Sequence, residues 1–369
     1  MSVPSEVTEV VFKRLPPPKE SIQPDTTKAN PTFEVKTNKL DSLKDGQILI
    51  KSLIFSNDPT QRTWLRKPGD NRRAYIAPVY EGETMEALGI GEVIDSKSDK
   101  FKQGDVVNAR IKWADYSIIN ESSVFNKIDN TQGLPLEYYL SVLGMTSLTA
   151  FFGLIEAGQL KKYLNKRDSD LIIAVSAASG AVGSIVVQIA KHLLGAKKVI
   201  GLAGSDAKCK WVEEIGADLC VNYKSENYQK KIDEFLDNDW VDVYFDNVGG
   251  EILSYFLSKM KEFGRIAACG SIAGYNNPDK ALVSNWFNVV SSTLTIEGFL
   301  VMQYKDKIPE ATKILSDAIK SGKIQTEKAY HVEELKGNDE REKFTEIPKI
   351  WNLLFDGDKP NGKLLIKVK

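Results

Sequence analysis

The sequence has few of the side chains that bind metals, with two histidines and three cysteines among 369 residues. A structural zinc site takes about four such ligands at close spacing, and a catalytic zinc site takes about three. His192, His331, Cys209, Cys220 and Cys269 are scattered along the chain, and no C-x-x-C pair occurs. We therefore expect no metal site. An odd and sparse cysteine count also gives no disulfide framework, so we expect a reducing compartment and a cytoplasmic location.

Long apolar runs and an excess of one charge are also missing. No uninterrupted apolar segment reaches the ~18–20 residues that a membrane-spanning helix needs, and the net charge is −1. We thus expect neither a membrane nor a nucleic acid as a partner. The composition, 42% hydrophobic and 27% charged, is that of a globular protein. Its length exceeds one ordinary core, which favours two domains.

The pattern of the sequence changes near residue 136. Residues 1–135 contain short β-type runs such as QILIKSLIF, which are interrupted by glycine and proline signals. From residue 136 to residue 321, apolar strands alternate with helical segments, and residues 322–369 return to short strands and a last helix. The alternating segment predicts a parallel sheet with right-handed crossovers.

A glycine-containing turn follows the first strand of the alternating segment, in the stretch AVSAASGAVGSIVVQIAK. The dinucleotide-binding pattern G-x-G-x-x-G/A lies between a strand and a helix. Gly180 and Gly183 occupy its second and third positions, and Ala178 occupies the first, which alanine can fill if its φ is negative. Such a turn aims the N–H groups of a helix N-terminus at an anion. The pattern predicts a dinucleotide site, with a close packing contact as the alternative.

The end of the next strand, KKVIGLAG, indicates which dinucleotide binds. An NAD site places an acidic residue there to bond the adenosine ribose. This strand ends in Ala203, Gly204 and Ser205, and Lys208 follows one helical turn later. This set suits the 2′-phosphate of NADPH. Asp206 lies past the strand, where we expect it to cap the next helix.

Several longer motifs occur together in the sequence, and they carry a family resemblance. They are LGMTSLTAFFGL, AASGAVGS, GSDAK, VNYK, YFDNVGG, MKEFGRIAACGSIAGYN and GDKPNGKLLIKV. As a set, they resemble the zinc-independent medium-chain dehydrogenases/reductases. The most similar branch is that of the alkenal double-bond reductases and prostaglandin reductases (leukotriene B4 12-hydroxydehydrogenases).

The resemblance implies an α/β architecture of two domains. A GroES-like β-barrel catalytic domain would comprise residues 1–135 and 322–369, and a Rossmann NADPH-binding domain with a doubly wound parallel sheet would comprise residues 136–321. The active-site cleft would lie at their junction. The resemblance also implies a homodimer, joined through the edge strand near STLTIEGFLV.

The resemblance further implies which residues bind NADPH. They are Gly180, Ala181, Val182 and Gly183 at the pyrophosphate, Gly204, Ser205, Lys208 and Tyr223 at the adenosine phosphate, and Asn247, Cys269, Gly270, Tyr275, Phe299, Val301 and Asn361 along the rest of the cofactor. Structural roles are the alternatives for three of them. Tyr223 could be a half-buried strand residue, Asn247 a turn residue and Tyr275 a surface residue of a loop. We expect Cys269 to be a small core residue and no nucleophile.

The activity that the resemblance implies is reduction of the C=C bond of α,β-unsaturated aldehydes and ketones with NADPH. Hydride adds to the β-carbon, the enolate charge collects on the carbonyl oxygen, and a proton then adds to the α-carbon. A donor aimed at that oxygen is the main catalytic need. Tyr275 and the cofactor ribose hydroxyl are the expected donors. A zinc-free quinone oxidoreductase and a non-enzymatic NADPH-binding regulatory or scaffold protein remain as alternatives.

One motif departs from the family pattern. The family reads D-P-Y-M-R where this sequence reads NDPTQR, so Thr60 replaces tyrosine and Gln61 replaces methionine. Asp58 and Arg62 match the first and last residues of the family pattern. Thr60, Arg62 and Tyr275 are the expected substrate-pocket residues. We expect the pocket to lack its usual aromatic wall at Thr60.

Overall fold

The computed structural model forms two compact units, one from Met1–Leu140 with His331–Lys369 and the other from Ser141–Tyr330. The structure describes residues 3–17, 19–129, 133–357 and 359–368.

The division lies at 140/141 and 330/331, against predicted boundaries at 135/136 and 321/322, and a side-chain hydrogen bond holds the chain near each division. The turn Leu136–Leu140 belongs to the first unit, in which the Asn108 amide donates to the Tyr139 carbonyl at 3.3 Å. The segment before His331 belongs to the second unit, in which the Gln325 N–H donates to Gln188 Oε1 at 2.6 Å.

The strands, in chain order, are β1 (Glu6–Phe12), β2 (Phe33–Lys39), β3 (Gln47–Ser56), β4 (Leu65–Arg66), β5 (Val79–Tyr80), β6 (Glu86–Ser96), β7 (Val106–Lys112), β8 (Tyr116–Asn120), β9 (Val124–Lys127), β10 (Ser169–Val175), β11 (Ala196–Ala203), β12 (Leu219–Asn222), β13 (Val241–Asp246), β14 (Met260–Ala268), β15 (Thr295–Gly298), β16 (Tyr330–Glu334) and β17 (Lys363–Lys367). The α-helices are α1 (Gln61–Trp64), α2 (Met145–Phe152), α3 (Gly183–His192), α4 (Asp206–Glu214), α5 (Tyr228–Leu236), α6 (Gly250–Leu257), α7 (Phe287–Ser291), α8 (Ile308–Lys320), α9 (Glu340–Phe344) and α10 (Glu346–Asp356).

The first unit, here called the barrel unit, is built around a sheet with the order β16-β17-β3-β6-β7-β9. Strand β3 pairs antiparallel with β6, β8 and β17. Its core contains the fully buried rings of Phe12, Phe33, Trp113 and Trp351. Phe33 lies 5.5 Å from Trp113 and 5.9 Å from Trp351, measured between ring centroids. Because Trp351 comes from α10, the C-terminal segment is part of this core.

The second unit, here called the sheet unit, contains six parallel strands in the order β12-β11-β10-β13-β14-β15. This is the doubly wound order, in which the direction of winding reverses between β10 and β13. Ligands of such sheets bind at the carboxyl ends of the strands, near the reversal point. The predicted fold class, a barrel combined with a doubly wound parallel sheet, is confirmed.

Candidate cofactor and substrate site

The turn between β10 and α3 brings a helix N-terminus close to the strand end. A Cβ on Gly183 would lie 2.3 Å from the Ala177 carbonyl oxygen and 2.8 Å from the Ala178 Cα, so only glycine fits there. The left-handed residue of the turn is Ala177, with a φ of +50°, and not Ala178. The N–H of Gly180 donates to the Ala177 carbonyl at 2.9 Å, which closes the turn. A helix N-terminus on such a turn is suited to an anion.

The end of β11 presents small and hydroxyl-bearing residues. Ser205 is the N-cap of α4, and its Oγ accepts a hydrogen bond from the Lys208 N–H at 3.4 Å. Asp206 is the first residue inside the helix, so the expectation that it caps the helix is wrong. Its carboxylate accepts from the Asn222 side chain at 3.0 Å. Asp206, the acidic residue nearest to the end of β11, therefore accepts a hydrogen bond from the Asn222 amide.

Tyr223 lies beside this strand end. Its backbone N–H donates to the Ala203 carbonyl at 3.1 Å, and a Cβ on Gly204 would lie 3.3 Å from its hydroxyl oxygen. The side chain is 40% exposed. The structure thus brings Tyr223 to the same strand end as Gly204, Ser205 and Lys208.

A buried carboxylate, which the sequence analysis missed, organises the edge between β10 and β13. Asp246 Oδ1 accepts hydrogen bonds from the Ser176 hydroxyl at 3.2 Å, the Tyr244 hydroxyl at 2.9 Å and the Gly249 N–H at 2.9 Å. Burial raises the pKa of Asp246, and the hydrogen bonds oppose that rise. The pair Asp-Asn before Gly-Gly was the sequence signal for this contact.

Asn247 is fixed by the same serine. Its backbone N–H donates to Ser176 Oγ at 2.9 Å, and its side-chain amide donates to the Ser176 carbonyl at 2.8 Å. The amide therefore spans the strand ends of β10 and β13, at the reversal point of the sheet. This contact gives Asn247 a structural role as well as a position suited to a ligand.

The end of β14 carries Cys269, Gly270 and, shortly after, Tyr275. The N–H groups of Cys269 and Gly270 both donate to the Asp246 carbonyl, at 2.8 Å and 3.1 Å. Burial and the Asp246 charge raise the pKa of the Cys269 thiol to about 12, which keeps it protonated. Cys269 is half-buried and so is not the core residue that we expected, and its lack of a nucleophilic role stays a prediction.

The Tyr275 hydroxyl returns to this strand end. It accepts a long hydrogen bond from the Ser271 N–H at 3.5 Å, and it would lie 3.4 Å from a Cβ on Gly270. The side chain is half-buried. A phenol is thereby held at the carboxyl edge of the sheet, beside the backbone of Gly270.

The side chains of Phe299 and Val301 point into the core of the sheet unit. The Phe299 ring is 7% exposed and packs edge-on against Phe245, with 6.1 Å between ring centroids. A Cβ on Gly153 would lie 2.6 Å from the Phe299 ring. Val301 is 8% exposed. Both side chains thus belong to the packing of the unit.

In the barrel unit, segment 57–62 follows β3 and runs into the start of α1. It is held by side chains that are distant in sequence. Lys363 forms an ion pair with Asp58, and the Trp351 indole donates to the Asp58 carbonyl at 3.2 Å. Gln61 is fully buried. Its Oε1 accepts from the Asp58 N–H at 2.7 Å, and its Nε2 donates to the Glu86 carbonyl at 2.8 Å. Gln61 therefore fixes the loop from the inside and forms no exposed wall.

Thr60 has an aromatic neighbour that the sequence analysis missed. The hydroxyl groups of Thr60 and Tyr75 are in hydrogen-bond contact. Tyr75, which is 56% exposed, lies on the loop between β4 and β5. An aromatic residue therefore adjoins Thr60, and the missing aromatic wall of the substrate pocket at this position stays a prediction. Nothing in the spacing of RRAY in the sequence signals the contact.

Asp70, on the same loop between β4 and β5 as Tyr75, forms ion pairs with two arginines. Asp70 accepts hydrogen bonds from Arg66 at 3.2 Å and from the Arg72 Nε at 3.0 Å. Arg72 is the main cause that lowers the pKa of Asp70. Arg62 is half-buried, and burial lowers the pKa of its guanidinium group.

Asn361 lies in the barrel unit, just before β17. Its side-chain oxygen is buried, and no described residue forms a hydrogen bond with it. A ligand with a hydrogen-bond donor would satisfy this oxygen.

Each histidine ring contacts a polar group of the protein. The His192 ring contacts the Ile215 carbonyl at 3.2 Å, and the His331 ring contacts Glu333 at 2.8 Å. Across the described ranges, no three His, Cys, Asp or Glu side chains are grouped so that they could hold a metal ion.

Comparisons with known proteins identify the family. Two family models match, described as "N-terminal domain of oxidoreductase" over residues 21–127 and "Zinc-binding dehydrogenase" over residues 181–317. An uncharacterized membrane protein of Saccharomyces cerevisiae is 35% identical over 364 residues, which are 97% of each chain. Prostaglandin reductase 1 of Bos taurus is 34% identical over 92% of this chain and 94% of its own length. An NADP(+)-dependent 2-alkenal reductase of Nicotiana tabacum is 35% identical over 83% of this chain and 84% of its own length.

The chain belongs to the zinc-independent medium-chain dehydrogenases/reductases. Within them, it falls in the branch of the prostaglandin and alkenal reductases, so the predicted family is confirmed. The crystal structure of CurA from Vibrio vulnificus shares the fold, with a TM-score of 0.79, 24% identity and coverage of 98% of this chain and 99% of that one. Although the yeast relative is named a membrane protein, no helix in the described part of this family member has the length and apolarity to cross a membrane.

Proposed function

We propose that the protein reduces the C=C bond of α,β-unsaturated aldehydes and ketones with NADPH. The observation that carries this proposal is the full-length similarity to prostaglandin reductase 1 and 2-alkenal reductase. The geometry of the sheet unit supports it, because a turn suited to a pyrophosphate and a half-buried phenol lie at the carboxyl ends of its strands.

The carboxyl edge of the sheet unit fits NADPH. Gly183 leaves the room that a closely approaching pyrophosphate turn needs. Ser205 and Lys208 would hold the 2′-phosphate, because a charge-assisted hydrogen bond to phosphate is stronger than a neutral one. We propose that the cofactor contacts are Gly180, Ala181, Val182, Gly183, Gly204, Ser205, Lys208, Tyr223, Asn247, Cys269, Gly270, Tyr275, Phe299, Val301 and Asn361. Since the Phe299 and Val301 side chains are buried in the core, these two residues would contribute mainly their backbone.

When bound, NADPH supplies the hydride. We propose that Tyr275 donates a hydrogen bond to the carbonyl oxygen of the substrate, where charge develops as the β-carbon is reduced. A donor placed in advance at that oxygen lowers the barrier more than one that must reorganise. Thr60 and Arg62 are the proposed substrate contacts in the barrel unit. With the neighbouring Tyr75, they combine an aromatic ring, two hydroxyl groups and a cation.

The experiment is a panel of substrates with purified protein and NADPH. Absorbance at the NADPH band is followed with short alkenals, enones, quinones and saturated aldehydes. We expect turnover of alkenals and enones, with a saturated aldehyde or ketone as the product. An allylic alcohol as the product would refute the proposed reaction. Turnover of quinones alone would favour a quinone oxidoreductase, and NADPH binding without any turnover would favour a binding protein.

We also propose that the protein is a cytoplasmic homodimer. Strand β15 is the edge of the parallel sheet, so its outer backbone groups can pair with a second copy. Large apolar side chains are exposed just before it, namely Leu282, Trp286, Phe287 and Val290. Sedimentation analysis tests this assembly: Phe287→Asp should raise the fraction of monomer. A wild-type protein that sediments as a monomer at micromolar concentration would refute it.

A further inference from the structure

Two of the three cysteines of the chain lie together in the sheet unit. Cys209 is on α4 and Cys220 is on β12, and both carry free thiols. The two thiols are in hydrogen-bond contact. The third cysteine, Cys269, follows β14, on the other side of the reversal point of the sheet. Cys209 and Cys220 are therefore a pair of nucleophilic side chains that the proposed reaction does not use.

The packing of α4 on the sheet brings the two sulfurs together. Cys220 pairs with Gly201 of β11, and a Cβ on Gly201 would lie 3.2 Å from Cys220 Sγ and 2.9 Å from Val212 Cγ1. The Cys220 sulfur therefore lies on the face of the sheet that α4 covers. Cys209 precedes Val212 by three residues, so the two share a face of the helix, and both are buried. The Cys220 N–H also donates to Glu213 Oε1 at 2.9 Å, which ties the strand to the same helix.

The two thiols differ in acidity. Contact with Cys220 lowers the pKa of the Cys209 thiol, although burial opposes that change. Contact with Cys209 and burial raise the pKa of the Cys220 thiol. Because the thiolate is the nucleophile, Cys209 is the thiol that reacts first, and Cys220 is placed to attack the product. Cys209 is 6% exposed and Cys220 is 8% exposed, so a small oxidant suits the pair better than a bulky disulfide.

The pair lies next to the proposed contacts of the 2′-phosphate. Cys209 follows Lys208, and its N–H donates to the Ser205 carbonyl at 3.0 Å. Ser205 Oγ accepts from the Lys208 N–H at 3.4 Å. The sulfurs of a disulfide are ~2.05 Å apart, closer than those of two thiols in hydrogen-bond contact. When such a bond forms, α4 and β12 must move towards each other at Cys209 and Cys220, and Lys208 moves with its neighbour.

We propose that Cys209 and Cys220 form a disulfide on reaction with hydrogen peroxide, and that this bond weakens binding of the 2′-phosphate of NADPH; the second part rests on the proposed function. The Cys209 thiolate attacks one peroxide oxygen, the O–O bond breaks, and a sulfenic acid and one water form. The Cys220 thiol then attacks the Cys209 sulfur, the S–S bond forms, the S–O bond breaks, and a second water leaves. The two sulfurs lose two electrons, which the peroxide gains, and the thiol protons go to the two waters.

The first measurement is the state of the thiols after purified protein is treated with hydrogen peroxide. The number of free thiols, counted after denaturation, should fall from three to one, because two of the three cysteines join. Peptide mass spectrometry should find Cys209 linked to Cys220. In Cys220→Ala no such link can form, so Cys209 should stop at the sulfenic acid or its further oxidation products. Three unreacted thiols, or oxidation of Cys269 while the pair stays reduced, would overturn the proposal.

The second measurement compares cofactor binding by the reduced and the oxidised protein, by titration calorimetry with NADPH and with NADH. Oxidation should weaken NADPH binding roughly 5–30-fold, as the loss of one hydrogen bond to the phosphate predicts, and should hardly change NADH binding. Dithiothreitol should restore the affinity. Equal NADPH affinity of the two forms, or an equal loss for both cofactors, would overturn the link between the disulfide and the 2′-phosphate.

Cys209→Ala is the matched control. Before peroxide treatment it should bind NADPH as the reduced wild type does, and treatment should leave its affinity unchanged. A loss of affinity in the treated variant would assign the effect to oxidation elsewhere in the chain and would overturn the proposal. A reduced wild-type protein that binds NADPH but reduces no enal would contradict the proposed function, whereas the thiol count and the linked peptide report on the pair alone.

Discussion

Two regions are candidate site regions: the carboxyl edge of the sheet unit, and segment 57–62 of the barrel unit. The contacts that hold them in place differ. At the sheet edge, adjacent strands fix each other through short contacts, such as those of Asn247 with Ser176. The loop is held by side chains that are far away in sequence, above all Lys363 and Trp351. Parallel pairing of β10 with β13 therefore brings the residues of the first region together before their side chains bond, whereas in the second region the side chains themselves hold the backbone.

This difference bears on which residues of the two regions can vary. Gly183 cannot change, because a Cβ there would collide with the backbone of the preceding turn. Gln61 stands where the family resemblance implies methionine, and its side chain bonds to the Asp58 N–H and the Glu86 carbonyl. We expect side-chain changes to be tolerated more readily in segment 57–62 than in the glycine turn.

The largest effect is expected at Tyr275, where the sheet edge would meet the reaction. Tyr275→Phe keeps the ring and removes the hydrogen-bond donor, so kcat for a short alkenal should fall about 10–1000-fold. The affinity for NADPH should stay close to that of the wild type. Steady-state kinetics and cofactor titration measure both quantities. Unchanged kcat would remove Tyr275 from the mechanism.

The next largest effect is expected at Lys208, the proposed contact of the 2′-phosphate at the sheet edge. Lys208→Ala should weaken NADPH binding by roughly 1–3 kcal/mol through loss of a charge-assisted hydrogen bond, and NADH binding should hardly change. Lys210→Ala, an exposed position on the same helix, is the control. Equal weakening of both cofactors would show that Lys208 does not read the 2′-phosphate.

A smaller effect, on stability, is expected at Gln61, whose side chain holds segment 57–62 in place. Gln61→Leu removes two buried hydrogen bonds and leaves their backbone partners unsatisfied, so the free energy of unfolding should fall by about 1–2 kcal/mol. Denaturant unfolding measures this change. If Gln61 instead lined the substrate pocket, KM for an enal would change while stability stayed constant.

A still smaller effect is expected at the contact between Thr60 and Tyr75. Tyr75→Phe removes the hydroxyl that contacts Thr60, a proposed substrate contact, so Thr60 is less firmly oriented and KM for a short alkenal should rise by about 2–5-fold, the equivalent of roughly 0.5–1 kcal/mol of binding. Cofactor affinity should not change, because the sheet edge is untouched. An unaltered KM across alkenals of different length would separate Tyr75 from substrate binding.

A metal chelator is expected to have no effect on activity. This treatment tests whether either region depends on a metal ion. Neither region groups three or more potential metal ligands among its described residues. Activity after prolonged treatment with a chelator should equal that of the untreated protein. Stoichiometric zinc in elemental analysis, together with loss of activity on its removal, would contradict this prediction.

Much of the sheet edge could be predicted from the sequence, because its determinants are local. The strand-turn-helix pattern around Gly180 and Gly183 and the lack of an acidic residue at the end of β11 are properties of short segments. Ser176 and Asp246 were missed because their contact forms only when β10 and β13 lie side by side. The buried side chain of Phe299 could not be predicted for the same reason, since it depends on Phe245 and Gly153.

The sequence by itself determined the fold class, the family and the positions of the turns that suit a dinucleotide. Those properties follow from hydrophobic periodicity, glycine placement and short motifs, which act over a few residues. Only the tertiary structure decided that Gln61 is buried, that Tyr75 adjoins Thr60 and that the buried amide of Asn57 has no hydrogen-bond partner among the described residues. Each of these results depends on which side chains the folded chain brings within hydrogen-bond distance, and sequence spacing carries no information about that.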